Sequence, residues 1–284
     1  TDFDTKGKPD LVIGAEESTI NVFAPGIGFN YRPTDKLSVF SGVYRGYSVP
    51  GPRANAKEDL KEETSIGGEL GIRYNNLKGG FRSEIVGFYT HFDDLLVPAN
   101  IGAGGVEGKT ENAGNINSLG VEAAIGYDAG IANGWRFLNP YTLTFTYTQA
   151  TLNGDANSLD EESIFAGGKD GAKVPYVPEI QLTVGTGIEF SGWGVFVDAT
   201  YVGETFTTAS NTVEQIDPNT GKPNANYGKT DDYLAIDISG KYKLTDGINA
   251  FVNLHNVTNE EYIVSRHPIG PRPGRPFNAV IGIE

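Results

Sequence analysis

The sequence has no cysteine among its 284 residues, which excludes a disulfide framework, a thiolate zinc site and a cysteine nucleophile. It also has no run of about eighteen apolar residues, so no helix of this chain can span a bilayer. Positive charge is scarce, with 22 Lys and Arg against 36 Asp and Glu and a net charge of −14. A phosphate-binding surface needs a basic patch, and none stands out, so nucleic acid is not an expected partner. Histidine occurs three times, scattered, with no HExxH or comparable metal spacing. No initiating methionine and no signal peptide stand at Thr1, so the expectation is a mature form or a fragment.

What the chain does have is glycine, aromatics and alternation. It holds 38 glycines, 15 prolines and 11% aromatics at a mean hydropathy of −0.28. That hydropathy suits a soluble protein, yet a transmembrane β-barrel gives the same figure, because its apolar and polar positions average out along each strand. Tyr141 to Thr148 reads Tyr-Thr-Leu-Thr-Phe-Thr-Tyr-Thr. Strand side chains alternate sides, so Tyr141, Leu143, Phe145 and Tyr147 share one face while four threonines take the other. Such a strand meets two different environments.

The pattern recurs along the chain. Strands are expected from about Thr19 to Tyr31, Lys36 to Ser48, Ser65 to Tyr74, Phe81 to Asp93 and Ser118 to Tyr127. Others are expected from Ile180 to Phe190, Val195 to Tyr201, Leu234 to Leu244, Ile248 to His255 and Phe277 to Ile283. Alternation does not settle the facing of Phe81 to Asp93. With the opening example this makes about eleven strands of roughly ten residues, the length a tilted strand needs to cross a membrane. Connections alternate between short, after Tyr31, Tyr74, Tyr127, Phe190 and Leu244, and long, after Ser48, Asp94, Thr148, Val202 and Asn259. Tyr31, Tyr74, Tyr127, Trp135, Tyr141, Trp193 and Tyr242 gather beside the short turns, as an interfacial girdle would. A large soluble β-sandwich or propeller also alternates. Charged residues on the second face of nearly every strand speak against it. The fold expected is all-β: an antiparallel transmembrane β-barrel, or about 11–12 strands of one.

Several segments resemble successive parts of TonB-dependent outer-membrane receptors. They are Phe23 to Pro33, Leu37 to Phe40 with Tyr44 to Pro50, Glu63 to Tyr74, Gly87 to Asp93, Asn117 to Glu122 and Val174 to Pro178. Asn253 to Tyr262, followed by Ile263 to Pro276, is most similar to the ferric dicitrate branch of that family. The resemblance covers nearly the whole chain in the family's segment order. It implies a bacterial outer-membrane location, short periplasmic turns, long extracellular loops and active import of an iron chelate. The family carries an N-terminal plug domain with an energy-coupling box and a barrel of twenty-two strands. Residues 1–284 therefore resemble the C-terminal half of the barrel without the plug, so that the TonB complex would act through the missing domain. Lipid and lipopolysaccharide are the expected surroundings. A half barrel leaves two open edges that lipid cannot satisfy, so it must close or pair. The other reading is a small self-contained barrel serving as a passive pore or structural protein.

No enzyme motif survives inspection, and no cofactor is expected. Asp2 to Gly7 begins like a calcium loop, but Lys6 falls where an oxygen ligand belongs and Ile13 replaces the closing glutamate. Ala103 to Thr110 approximates a phosphate loop, with Ala103 in place of its first glycine and no helix pattern after it. Asp93 with Asp94, and Asp160 to Glu162, are acidic runs of the kind that solvated loops carry. The stretch containing Arg266, His267, Arg272 and Arg275 differs, because four prolines stiffen it. Guanidinium binds carboxylate in a fixed two-pronged geometry, which suits an anionic chelate. The resemblance puts these residues in the last extracellular loop, with Arg45 and His91 extending the site from the outer ends of their strands. Pairing with acidic loops or with lipopolysaccharide phosphates is the other use of such arginines.

Overall fold

The computed structural model describes residues 2–3, 18–19, 22–50, 60–98, 110–156, 163–267 and 270–284. Alternating β-branched, aromatic and glycine residues, without helical periodicity, build one antiparallel sheet of eleven strands. These are β1 (Gly26–Tyr31), β2 (Leu37–Ser48), β3 (Glu63–Asn76), β4 (Phe81–Asp93), β5 (Ile116–Asp128) and β6 (Pro140–Leu152). After them come β7 (Ile180–Glu189), β8 (Trp193–Val202), β9 (Tyr233–Thr245), β10 (Ile248–His255) and β11 (Asn278–Ile283). Each pairs with its neighbour in sequence, an up-and-down meander. Number, order and alternating loop lengths agree with the sequence expectation. The first strand is shorter than expected, starting after Pro25, whose missing N–H suits a strand's beginning. The ladder is open: among the described residues β1 and β11 are not paired with each other.

Register gives the sheet two chemically distinct faces. Residues opposite each other point the same way, so one row runs from Ile72 through Ile85, Ala123 and Phe145 to Leu182 and Tyr201. Its neighbouring row links Ile125, Leu143, Val184, Ala199 and Ile236. Many of these apolar side chains are exposed, among them Ile27, Leu70, Ile85 and Val184, which a water-facing sheet would not tolerate in such continuity. The register also settles β4: Ile85 and Tyr89 lie on the apolar face, Glu84 and Phe88 on the other.

That other face is polar and carries a device the sequence does not announce. Phe40 lies over Gly71, Phe88 over Gly120, Phe196 over Gly187 and Phe251 over Gly282, each pair sitting directly across two strands. A Cβ at any of these glycines would come within 2.3–2.6 Å of a ring carbon. Aromatic cover of a cross-strand glycine lets a sheet curve without exposing backbone. Two of the rings also receive a cation: Arg73, ion-paired with Glu84, stands 5.1 Å from the Phe40 ring, and Lys241, ion-paired with Glu189 at 2.5 Å, stands 5.8 Å from Phe196.

Aromatic rings converge at the short-turn end. Trp135, Phe137, Phe190 and Trp193 form a chain of ring contacts with centroids 4.8–5.0 Å apart, and Tyr127 stacks near Tyr141 at 6.4 Å. The turn between β5 and β6 contains a short helix, α1 (Ala129–Asn133), started by the Asp128 carboxylate accepting from Ile131 N–H and ended by Gly134 at φ 65°.

The buried apolar cluster lies at the opposite end. Ala113, Ile116, Leu152, Ile164, Phe165 and Ala209 pack together, with Phe92, Leu95, Val97, Val174 and Tyr176 around them. The loops after β4, β6 and β8 thus contribute to one small core. The sequence marks these connections only as long, and their joint core is a finding of the structure. The apolar residues are too few and too scattered within each loop to show a period.

Candidate functional site

The last long connection, between β10 and β11, carries the arginines. It folds back on itself as a two-strand ladder pairing Ile263–Ser265 with Arg272–Pro273. Stacking of Tyr262 on Tyr233, centroids 3.8 Å apart, fixes its base, and Gly274 is required beneath the Tyr262 ring.

The four predicted residues of this loop divide into two pairs. Arg266 and His267 are 5% and 6% exposed. Arg266 Nε donates to the Lys229 carbonyl at 2.7 Å, its backbone N–H donates to Tyr176 Oη at 3.2 Å, and His267 Nδ1 lies 2.7 Å from the same hydroxyl. These bonds fasten the last loop to the loops after β6 and β8. Arg272 and Arg275 are exposed at the surface, and Arg275 Nη2 donates to Asn278 Oδ1 at 2.9 Å.

Arg45 and His91 lie elsewhere. Register places Arg45 beside Ile66 and Ile66 beside His91, on the face that carries the apolar rows, near its loop end. His91 is fully engaged there, with Nδ1 2.7 Å from Asn117 Oδ1 and Nε2 3.1 Å from Asp93 Oδ1. Five strands of the ladder, β5 to β9, separate it from β10.

Burial alone pushes the His267 pKa below the ordinary imidazole value. As pH falls, the unfolded chain takes up its proton first, near pH 6.5. The stabilising contribution of neutral His267 is therefore complete above that pH and is lost as pH falls through the lowered folded value. Limited proteolysis of the last loop is expected to accelerate between pH 7.5 and pH 5, and His267→Gln is expected to flatten that difference. An unchanged pH profile in the variant would remove His267 as its source.

A further cluster escapes sequence reading. On the polar face, the side chain of Asp237 on β9 meets that of His255 on β10, and His255 stands opposite Asn278 of β11. Asp237 accepts from Asn256 N–H at 2.8 Å and pairs with His255 Nδ1 at 3.0 Å. Arg275 reaches the same place through Asn278 and contributes its charge to the surroundings of Asp237. The signal available beforehand was the shared parity of Asp237 and His255 on adjacent strands, but the register that makes them partners was not.

The remaining candidates resolve simply. Asp94 adopts φ 52° and pairs with Lys61 at 3.6 Å, while Asp93 holds His91, so the acidic pair serves loop geometry. The calcium-like start apart from Asp2 and Phe3, the phosphate-loop-like stretch before Thr110, and Asp160 to Glu162 lie outside the described residues. Among the described residues no three His, Asp or Glu side chains converge to hold a metal.

A family model described as TonB dependent receptor-like, beta-barrel matches residues 1–257. No curated protein sequence matches. Among solved structures, the chain superimposes on the unliganded ferric citrate transporter FecA with a TM-score of 0.67, at 15% identity, over 92% of this chain and 37% of that one. The FrpB iron transporter of Neisseria meningitidis, F5-1 variant, gives a TM-score of 0.68 at 16% identity, covering 95% and 40%. The copper transporter OprC gives 0.66 at 13%, covering 91% and 39%. The chain spans about two fifths of the length of these structures. At such identities the likeness is one of fold.

Proposed function

The chain belongs to the TonB-dependent receptor-like β-barrel family of the bacterial outer membrane, and from that premise we propose that it forms part of an active importer of metal chelates, iron chelates first. The match over residues 1–257 carries this reading. In it the apolar face meets lipid, the polar face lines the lumen, the aromatic cluster marks the periplasmic rim and the loop core caps the outside. The chain is then the C-terminal portion of a longer receptor whose remaining strands satisfy the edges of β1 and β11. A preceding plug domain would couple it to the TonB complex. A self-contained passive barrel requires β1 to pair with β11, and among the described residues they are not paired.

An anionic chelate such as ferric dicitrate is the substrate we assign to the last loop. Arg272 and Arg275 offer exposed guanidinium groups for carboxylates, while Arg266 and His267 hold the loop that presents them. Arg45 and His91 suit the headgroup region of the outer leaflet, where lipopolysaccharide phosphates lie, better than the chelate. Import of this kind needs no covalent step. Replacing Arg272 and Arg275 together with alanine in the complete receptor is expected to weaken ferric dicitrate binding more than tenfold, about 1.4 kcal/mol or more. Titration with the labelled chelate measures it, and unchanged affinity would take both residues out of the site.

A further inference from the structure

We propose that His255 is a metal ligand on the lumen wall, donating its Nε2 lone pair to a divalent d-block ion, such as Cu2+, Ni2+ or Zn2+, carried into the barrel mouth by an anionic chelate. The inference rests on the transport reading and adds a second class of cargo to it.

The tautomer comes first. Asp237 Oδ2 lies 3.0 Å from His255 Nδ1. A carboxylate only accepts, so Nδ1 carries a hydrogen, and it is the neutral ring in this tautomer that presents a lone pair at Nε2. Histidines that ligate metals are oriented in this way, with the second nitrogen donating to a carboxylate that fixes the ring and raises its basicity. Asp237 is itself held by Asn256 N–H at 2.8 Å, so the pair is built on two adjacent strands and does not depend on a flexible loop.

Elimination points to the same residue. The chain has neither cysteine nor methionine, so imidazole is the softest ligand it can offer. Of its three histidines, His91 has both ring nitrogens engaged and sits on the apolar face, and His267 is buried against Tyr176. The side chain of His255 is 31% exposed on the polar face, and its Nε2 has no partner among the described residues.

One imidazole does not make a closed site, and among the described residues no group of three His, Asp or Glu side chains converges there. The remaining coordination must come with the ion, which is why the cargo is a chelate with an exchangeable position. Arg275, tied to Asn278 across from His255, stands where it can meet the carboxylates of that chelate. Ferric iron is a harder ion held by the oxygen donors of its chelate, so it gains less from this nitrogen.

The test uses Cu2+ citrate with the complete receptor in detergent, read by pulsed electron paramagnetic resonance. Wild type is expected to show the nitrogen couplings of one coordinated imidazole. His255→Gln is expected to lose them and weaken Cu2+ citrate binding at least tenfold, while ferric citrate binding changes less than twofold. His91→Gln should keep the couplings. Asp237→Asn should keep them with weaker binding, because it loosens the ring without removing the ligand. Couplings absent from wild type, or retained in His255→Gln, would overturn the assignment. Uptake by cells separates the two claims: a receptor that imports ferric citrate without any imidazole signal keeps the transport reading and loses this one. An imidazole signal in a receptor that imports no chelate does the reverse.

Discussion

Leu143→Arg is expected to destabilise the membrane-embedded barrel by about 2–4 kcal/mol, whereas Thr144→Arg on the adjacent position should cost far less. Leu143 lies between Ile125 and Val184 in the middle of an apolar row, so its side chain meets hydrocarbon in the family's setting. Thr144 lies between Ala124 and Thr183 on the polar face, where an added guanidinium finds water and carboxylates. Unfolding of the complete receptor in lipid vesicles by denaturant compares the two. Equal losses would mean that both faces meet protein, as in a soluble sandwich, and the membrane assignment would fall.

Gly120→Val should impair assembly of the barrel, and Gly87→Val should not. A Cβ at Gly120 would sit 2.1 Å from the Tyr147 carbonyl oxygen and 2.6 Å from the Phe88 ring. The ring can turn away, but the carbonyl belongs to the β5–β6 ladder and moves only if that ladder opens. Overpacking of this kind costs roughly 1–3 kcal/mol or more. Gly87, one residue before Phe88 and on the other face, has as its nearest neighbour the Gly120 carbonyl oxygen at 4.0 Å, so a side chain there finds open space. Heat-modifiable mobility on gels reports folded receptor in outer membranes. Normal amounts of folded Gly120→Val would show that the aromatic-covered glycines are spacing and not constraint.

Much of the architecture is legible in the sequence because a strand between lipid and water must alternate. Tyr141 to Thr148 shows this without any register, and the short and long connections reveal the two ends. The facing of β4 is not legible, because Phe88, Val86 and Phe92 place apolar residues on the polar side, where Phe88 covers Gly120. That exchange of glycine for a cross-strand ring depends on pairing, and pairing is absent from a single strand's letters. The loop core hides for a related reason: Ala113, Phe165 and Ala209 come from separate connections and meet only in space.

The candidate site divides in the same way. Clustered arginines and prolines draw attention to the last loop, yet composition cannot tell the exposed Arg272 and Arg275 from Arg266, which is buried among backbone carbonyls. Arg45 and His91 sit near strand ends as expected, but parity places them on the apolar face. His255 carries no metal-ligand spacing, and only its contact with Asp237 and its alignment with Asn278 give it a role.

Uptake of radiolabelled ferric dicitrate by cells expressing the complete receptor decides whether this barrel belongs to an active importer. Accumulation is expected to require the receptor, to stop when TonB is deleted and to fall in the Arg272→Ala, Arg275→Ala double variant. Accumulation that is the same with and without the receptor, or that continues undiminished without TonB, would contradict it.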